Sequence, residues 1–141
     1  MMLNKLPPNT PIIDIFEFLE QKSTRHGSRD RCIFSLRLKL RIRDTASLTV
    51  SSVLNLDASI RRFIQAPDGK KFDLDSTTQA ELTRYLLNRY KIKSLEELPA
   101  QCFSDPLFST QKRHHFTPNT LAQHYSALDA VLKERFRAFF P

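Results

Sequence analysis

Between Cys32 and Arg43 the chain alternates in character with almost no error. Phe34, Leu36, Leu38, Leu40 and Ile42 take every second position, and Ser35, Arg37, Lys39, Arg41 and Arg43 take the places between them. Successive side chains of a β-strand point to opposite faces, so a period of two predicts one apolar and one basic face. Only Ile33 breaks the pattern. Residues 47–56 read as a second strand, with Leu48, Val50, Leu54 and Leu56 on one face and Thr49, Ser51 and Asn55 on the other. A turn at Asp44-Thr45-Ala46 would pair Arg43 with Ser47 and Ile42 with Leu48. That register puts both apolar sets on one side, as a half-buried hairpin requires. The expectation is a basic hairpin over residues 32–56.

Charge sharpens this expectation. The chain has 22 Lys and Arg against 15 Asp and Glu, a net charge of +7. Residues 22–43 hold Lys22, Arg25, Arg29, Arg31, Arg37, Lys39, Arg41 and Arg43 against the single acid Asp30, so this segment carries the whole excess. A concentrated patch attracts polyanions better than the same charge dispersed. Basic side chains on one strand face recur every ~6.8 Å, twice the strand rise, comparable with the spacing of neighbouring phosphates. Hydroxyl side chains beside them are common phosphate partners. A two-stranded ribbon can enter the major groove of a duplex. The candidate nucleic-acid-binding residues are therefore Arg25, Arg29, Arg31, Arg37, Lys39, Arg41 and Arg43. No aromatic residue interleaves the basic strand positions, which favours duplex DNA over a single-strand stacking platform and leaves RNA open. Two other readings compete. One is an adaptor or inhibitor whose basic face meets an acidic protein partner. The other is a solvated face, since Lys and Arg on an edge strand also block aggregation.

The rest of the chain reads as helices around a small sheet. Residues 1–11 form a Pro-rich lead-in, and Ile12, Ile13, Phe16 and Leu19 give residues 11–22 a helical period. Residues 57–66 fit either a helix or a third strand, Pro67-Asp68-Gly69 is a turn, and Lys70 to Leu74 fit a short strand. Ser76 is expected to cap a helix that runs to about Tyr90, and Ser94 with Glu97 forms a capping-box pattern that opens a very short helix ending before Pro99. Residues 99–117 have no periodicity, although Phe103, Leu107, Phe108 and Phe116 suggest that they pack down. Thr117-Pro118 opens the longest helix, with Leu121, Tyr125, Leu128, Leu132 and Phe136 at core spacing. The fold class is α+β: a small antiparallel sheet packed by helices on its apolar face, with a long C-terminal helix. One domain over residues 1–141 is expected, with 99–141 as a candidate helical appendage. The last helix either closes the core or offers a homodimer surface.

Several function classes are excluded or disfavoured. Gly27 and Gly69 are the only glycines, so no Gly-rich phosphate cradle exists. No apolar stretch reaches the length of a membrane span, and the start does not read as a secretory signal. Two cysteines, Cys32 and Cys102, make no disulfide framework, which points to a reduced cytoplasmic protein. Cys102, His114, His115 and His124 lack zinc-site spacing. Asp73 and Asp75, followed by Glu81, would suit a metal-dependent nuclease, but they also stand where turns and helix caps favour Asp. Lys70-Lys71 and Lys112-Arg113-His114-His115 read as ordinary surface charge. No catalytic residue, metal or cofactor is expected, and the leading expectation is a non-enzymatic nucleic-acid-binding protein.

Two partial likenesses accompany this reading. Phe116-Thr-Pro-Asn-Thr-Leu-Ala-Gln-His-Tyr-Ser-Ala-Leu128 resembles the opening helix of the core-binding domain in phage-type tyrosine recombinases, through its cap and its periodicity. The expected helix–hairpin–helix order is similar to that of double-stranded-RNA-binding domains. Their Gly-containing loop and basic helix start are absent, since residues 72–78 read Phe-Asp-Leu-Asp-Ser-Thr-Thr.

Overall fold

The computed structural model describes residues 9–22, 26–110 and 115–139. The first eight residues of the Pro-rich lead-in, Arg25, the run Lys112-Arg113-His114 and Phe140-Pro141 lie outside them. The elements are α1 (Ile12–Lys22), α2 (Gly27–Arg37), α3 (Ile42–Ala46), α4 (Val50–Val53), β1 (Phe63–Gln65), β2 (Lys71–Asp73), α5 (Ser76–Tyr90) and α6 (Pro118–Arg135). Short 3-10 turns at Leu95–Glu97 and Ala100–Ser104 lie between α5 and α6. The fold is α+β, with one small antiparallel sheet and a long C-terminal helix.

The basic hairpin expected over residues 32–56 does not form. Its first strand is α2 and the residues just after it, and its second contains the short helix α4. The reason lies in where α2 sits. It runs between two hydrophobic clusters and is buried on both sides. Cys32, Ile33, Leu36 and Leu40 pack into the larger cluster with Leu48, Val53, Leu82, Leu86 and Leu121. Phe34 and Leu38 pack into a smaller one with Ile15, Phe16, Leu19, Leu128 and Leu132. Each set has helical spacing: 32, 33, 36 and 40 on one side, 34 and 38 on the other. Merged along the sequence, the two stripes imitate a period of two. Ile33, the one exception to the alternation, is fully buried and belongs to the helical stripe.

Local signals account for the ends of the other helices. The Asp75 carboxylate accepts from the Thr78 amide at 2.8 Å and caps α5, so the cap falls on Asp75 and not on the following serine. Thr117 caps α6 by accepting from the Thr120 amide at 3.0 Å, with Pro118 in the first turn. Ser94 and Glu97 form the expected capping box, although the helix it opens is a single 3-10 turn. Leu121, Tyr125, Leu128 and Leu132 of α6 are buried in the chain's own core, so this stripe closes the core instead of offering a dimer surface.

The sheet is the hairpin β1–β2, with Phe63 opposite Asp73, Ile64 opposite Phe72 and Gln65 opposite Lys71. Its turn is Pro67-Asp68-Gly69, where Gly69 has φ +90°, a conformation strained for other residues. The irregular stretch after residue 98 is pinned down. Tyr85 donates to the Leu107 carbonyl at 2.7 Å, Arg89 donates to the Pro106 and Leu107 carbonyls at 2.6 and 2.7 Å, and Leu107, Phe108 and Phe116 are buried.

α1 and α2 approach closely at Gly27. A Cβ added there would lie 2.1 Å from the Glu20 carbonyl oxygen. Gly27→Ala is expected to destabilise the protein by about 1–3 kcal/mol in urea melts through overpacking. Unchanged stability would show that the two helices do not meet there.

Candidate nucleic-acid interface

The seven residues expected to bind nucleic acid divide sharply. Arg25 lies outside the described residues. Arg29, Arg31 and Arg37 are committed to ion pairs within the fold. Arg31 donates to both carboxylate oxygens of Glu81 at 2.6 and 2.9 Å and to Glu20 at 2.7 Å, tying α2 to α5 and α1. Arg37 donates to both oxygens of Asp129 on α6 at 2.7 and 2.8 Å, with its guanidinium 4.2 Å from the Tyr125 ring centre. Arg29 donates to Asp30 at 3.1 Å and to the Ser109 carbonyl at 3.1 Å. The same Asp30 oxygen meets His124 Nε2 at 2.8 Å. These three arginines do not form an open binding face, because their guanidinium groups are held by buried and part-buried partners within the fold.

Lys39, Arg41 and Arg43 remain at the surface. They follow α2 and enter α3, on the side approached by the β1–β2 turn. Arg41 is anchored by the buried Asp44 at 2.5 Å and lies over the Phe72 ring at 5.4 Å. Its second amino group reaches Asp68 Oδ2 at 3.1 Å, and Arg43 reaches the same oxygen at 3.4 Å. The Arg43 side chain is 63% exposed and Asp68 is 41% exposed, so this junction is open to solvent. Arg41, Arg43, Asp44, Ser47, Pro67 and Asp68 line a cleft of about 270 Å³. Lys39 makes an exposed ion pair with Asp75 at 3.3 Å.

Asp68 is charged at neutral pH. The Lys70 amide, and after it Arg41 and Arg43, hold its carboxyl below the ordinary value of 3.8. Lys70 stands beside this turn, exposed, and forms no ion pair among the described residues. Lys71 is exposed on the outer face of the hairpin, over the Phe63 ring at 4.7 Å. Segments 39–43 and 61–71 together hold seven basic residues and one acid, Asp68. The sequence signal for Lys70, Lys71, Arg61 and Arg62 was their charge, and no strand pattern linked them to residues 39–43.

The remaining candidates have structural places. Asp75 is the α5 cap and Glu81 is the partner of Arg31, while Asp73 ends β2. Cys32 is buried in the core, and its burial pushes the thiol pKa up. Among the described residues no group of three or more His, Cys, Asp or Glu is placed to hold a metal ion. No helix among them is long and apolar enough to cross a membrane. No family model matches the chain, and neither the curated proteins nor the solved structures contain a match.

Removing Arg37 leaves Asp129 and the Tyr125 face without their partner. Arg37→Ala is expected to cost about 3–5 kcal/mol in urea denaturation, the range for breaking a buried pair. A loss near zero would mean that Arg37 is a surface residue. Acid supplies a second test. Burial raises the Asp30 carboxyl pKa, but the His124 hydrogen bond and Arg29 together bring it below its ordinary value. A folded pKa below the unfolded one stabilises at neutral pH, and that contribution is lost as pH falls below ~4. Asp30→Asn should therefore be less stable than wild type at pH 7, and the gap should narrow towards pH 3. A gap independent of pH would contradict this.

Proposed function

We propose that the protein is a non-enzymatic nucleic-acid-binding protein that holds the duplex backbone at the junction of α3 and the β1–β2 turn. The observation that carries this reading is the convergence of Arg41 and Arg43 on one exposed Asp68 oxygen, at 3.1 and 3.4 Å, in an open cleft. Two guanidinium groups aimed at a single oxyanion position match the chemistry of a phosphate. Arg41 is held for this by Asp44 and Phe72, which limits the side-chain entropy lost on binding. Lys39 and Lys70 extend the positive surface on either side. Duplex DNA is the favoured partner and RNA the alternative. The role is regulatory or accessory to a larger complex.

Four phosphate contacts, by Lys39, Arg41, Arg43 and Lys70, predict a log–log salt slope of about −3.6 for duplex DNA. Fluorescence anisotropy measures it. Arg43→Ser with Lys70→Ser touches only exposed side chains and should bring the slope to about −1.8 with the fold intact. Asp68→Asn should tighten binding, because the internal carboxylate competes with phosphate for the two arginines. Wild-type protein that does not bind duplex DNA or RNA at low salt would overturn the reading.

The same contact supports a second reading, because the group now in the cleft is a carboxylate. An adaptor or inhibitor would place an acidic side chain of a protein partner there. That reading predicts a defined heteromeric complex lost in Arg43→Ser, without affinity for nucleic acid.

A further inference from the structure

Near the other end of the β1–β2 hairpin lies a larger open cleft of about 680 Å³. Arg61, Arg62, Phe63, Asn55, Gln79 and Thr83 contribute to its walls, together with Ser59, Ile60 and Ala80, and no carboxylate lines it among the described residues. The nearby Asp57 is engaged in its own turn, where it accepts from the Ser59 amide at 3.0 Å and the Ser59 hydroxyl at 2.5 Å. Arg61 is oriented by a bond from its Nε to the Ser51 carbonyl at 3.1 Å, and this leaves its terminal amino groups uncommitted among the described residues. The Arg62 side chain has no hydrogen bond or ion pair among them and is exposed. Phe63 is 40% exposed, and Lys71 lies over its ring at 4.7 Å.

A guanidinium without a counter-charge beside an exposed aromatic ring is complementary to a nucleotide. The guanidinium suits its phosphate and the ring stacks on its base, while the polar side chains of the walls are bonded within the protein: Asn55 donates to the Ser59 hydroxyl at 3.0 Å, Gln79 to the Leu74 carbonyl at 2.6 Å and Thr83 to the Gln79 carbonyl at 3.0 Å. The volume falls in the range of small-ligand sites. We infer that this cleft takes one unpaired nucleotide of a bound nucleic acid, with Arg62 on the phosphate and Phe63 under the base. This rests on the nucleic-acid reading above and uses different residues. Arg62 and Asp68 are six residues apart along the chain, at most about 20 Å at the rise of a strand, within the reach of one bound molecule.

Anisotropy on three labelled probes tests the inference: a blunt DNA duplex, and the same duplex with four unpaired adenines at the 5′ or at the 3′ end. Wild-type protein should bind at least one tailed probe about tenfold or more tighter than the blunt one, as expected for stacking one base. Phe63→Ala should remove that preference and leave affinity for the blunt duplex unchanged, and Arg62→Ser should remove the preference as well. Phe63→Tyr, which keeps the ring, should keep the preference. Equal affinity of wild type for all three probes, or a preference that survives Phe63→Ala, would overturn the inference while leaving the backbone site standing. Loss of blunt-duplex binding alone, with the Phe63-dependent preference kept, would instead overturn the Arg41–Arg43 site.

Discussion

The structure depends on how Arg31 is held. One guanidinium on α2 binds carboxylates from two other helices, Glu81 on α5 and Glu20 on α1, and lies 5.2 Å from the Phe16 ring centre. Glu20 in turn binds Arg84 on α5, and Arg84 is the leading cause of its lowered pKa. Arg37 makes the equivalent connection to α6 through Asp129, and Asp30 reaches the same helix through His124. A helix with apolar residues on two sides can be buried between two clusters only if the charges on its remaining surface are met by partners. Those partners fix the angles at which α1, α5 and α6 surround it. Ion pairs of this kind add little net stability over apolar packing, but losing one member is costly. They therefore select one arrangement of helices.

This explains what could be read from the sequence and what could not. The α+β class, the turn at residues 67–69, α5, α6 and the α6 cap were legible because each rests on local chemistry, and the α5 cap lies one residue before the serine expected to supply it. Asp75 and Thr117 bond to amides three residues away, and Gly69 supplies the φ its turn needs. The segment 32–43 was misread because a period of two has two causes. A strand with one wet face gives it, and so does a helix with two dry ones. Strict alternation of apolar and basic residues distinguishes them only if the basic residues face water. Here Glu81 and Asp129 neutralise Arg31 and Arg37 from 50 and 92 positions away. The +7 excess of residues 22–43 belongs to a segment whose acidic partners lie elsewhere in the chain.

Once the paired residues are set aside, a smaller basic surface remains at the edge of the real hairpin. Lys39, Arg41 and Arg43 stand beside it, and Arg61, Arg62, Lys70 and Lys71 belong to it. The exposed basic residues thus lie at the junction between α3 and a turn and not on a strand face. Arg61, Arg62 and Phe63 are consecutive in the sequence, but only the structure places that ring at a cleft. Arg41 belongs to both parts of the account. It is anchored inward by Asp44 and directed outward at Asp68.

Residues 27–37 form a buried helix whose arginines hold the fold together. Backbone ¹³Cα chemical shifts of the full chain measure this residue by residue. An unbroken run of positive secondary shifts is expected from Gly27 to Arg37. Negative shifts through Cys32 to Arg37, continuing to Arg43, would restore the basic strand and rule out the buried helix.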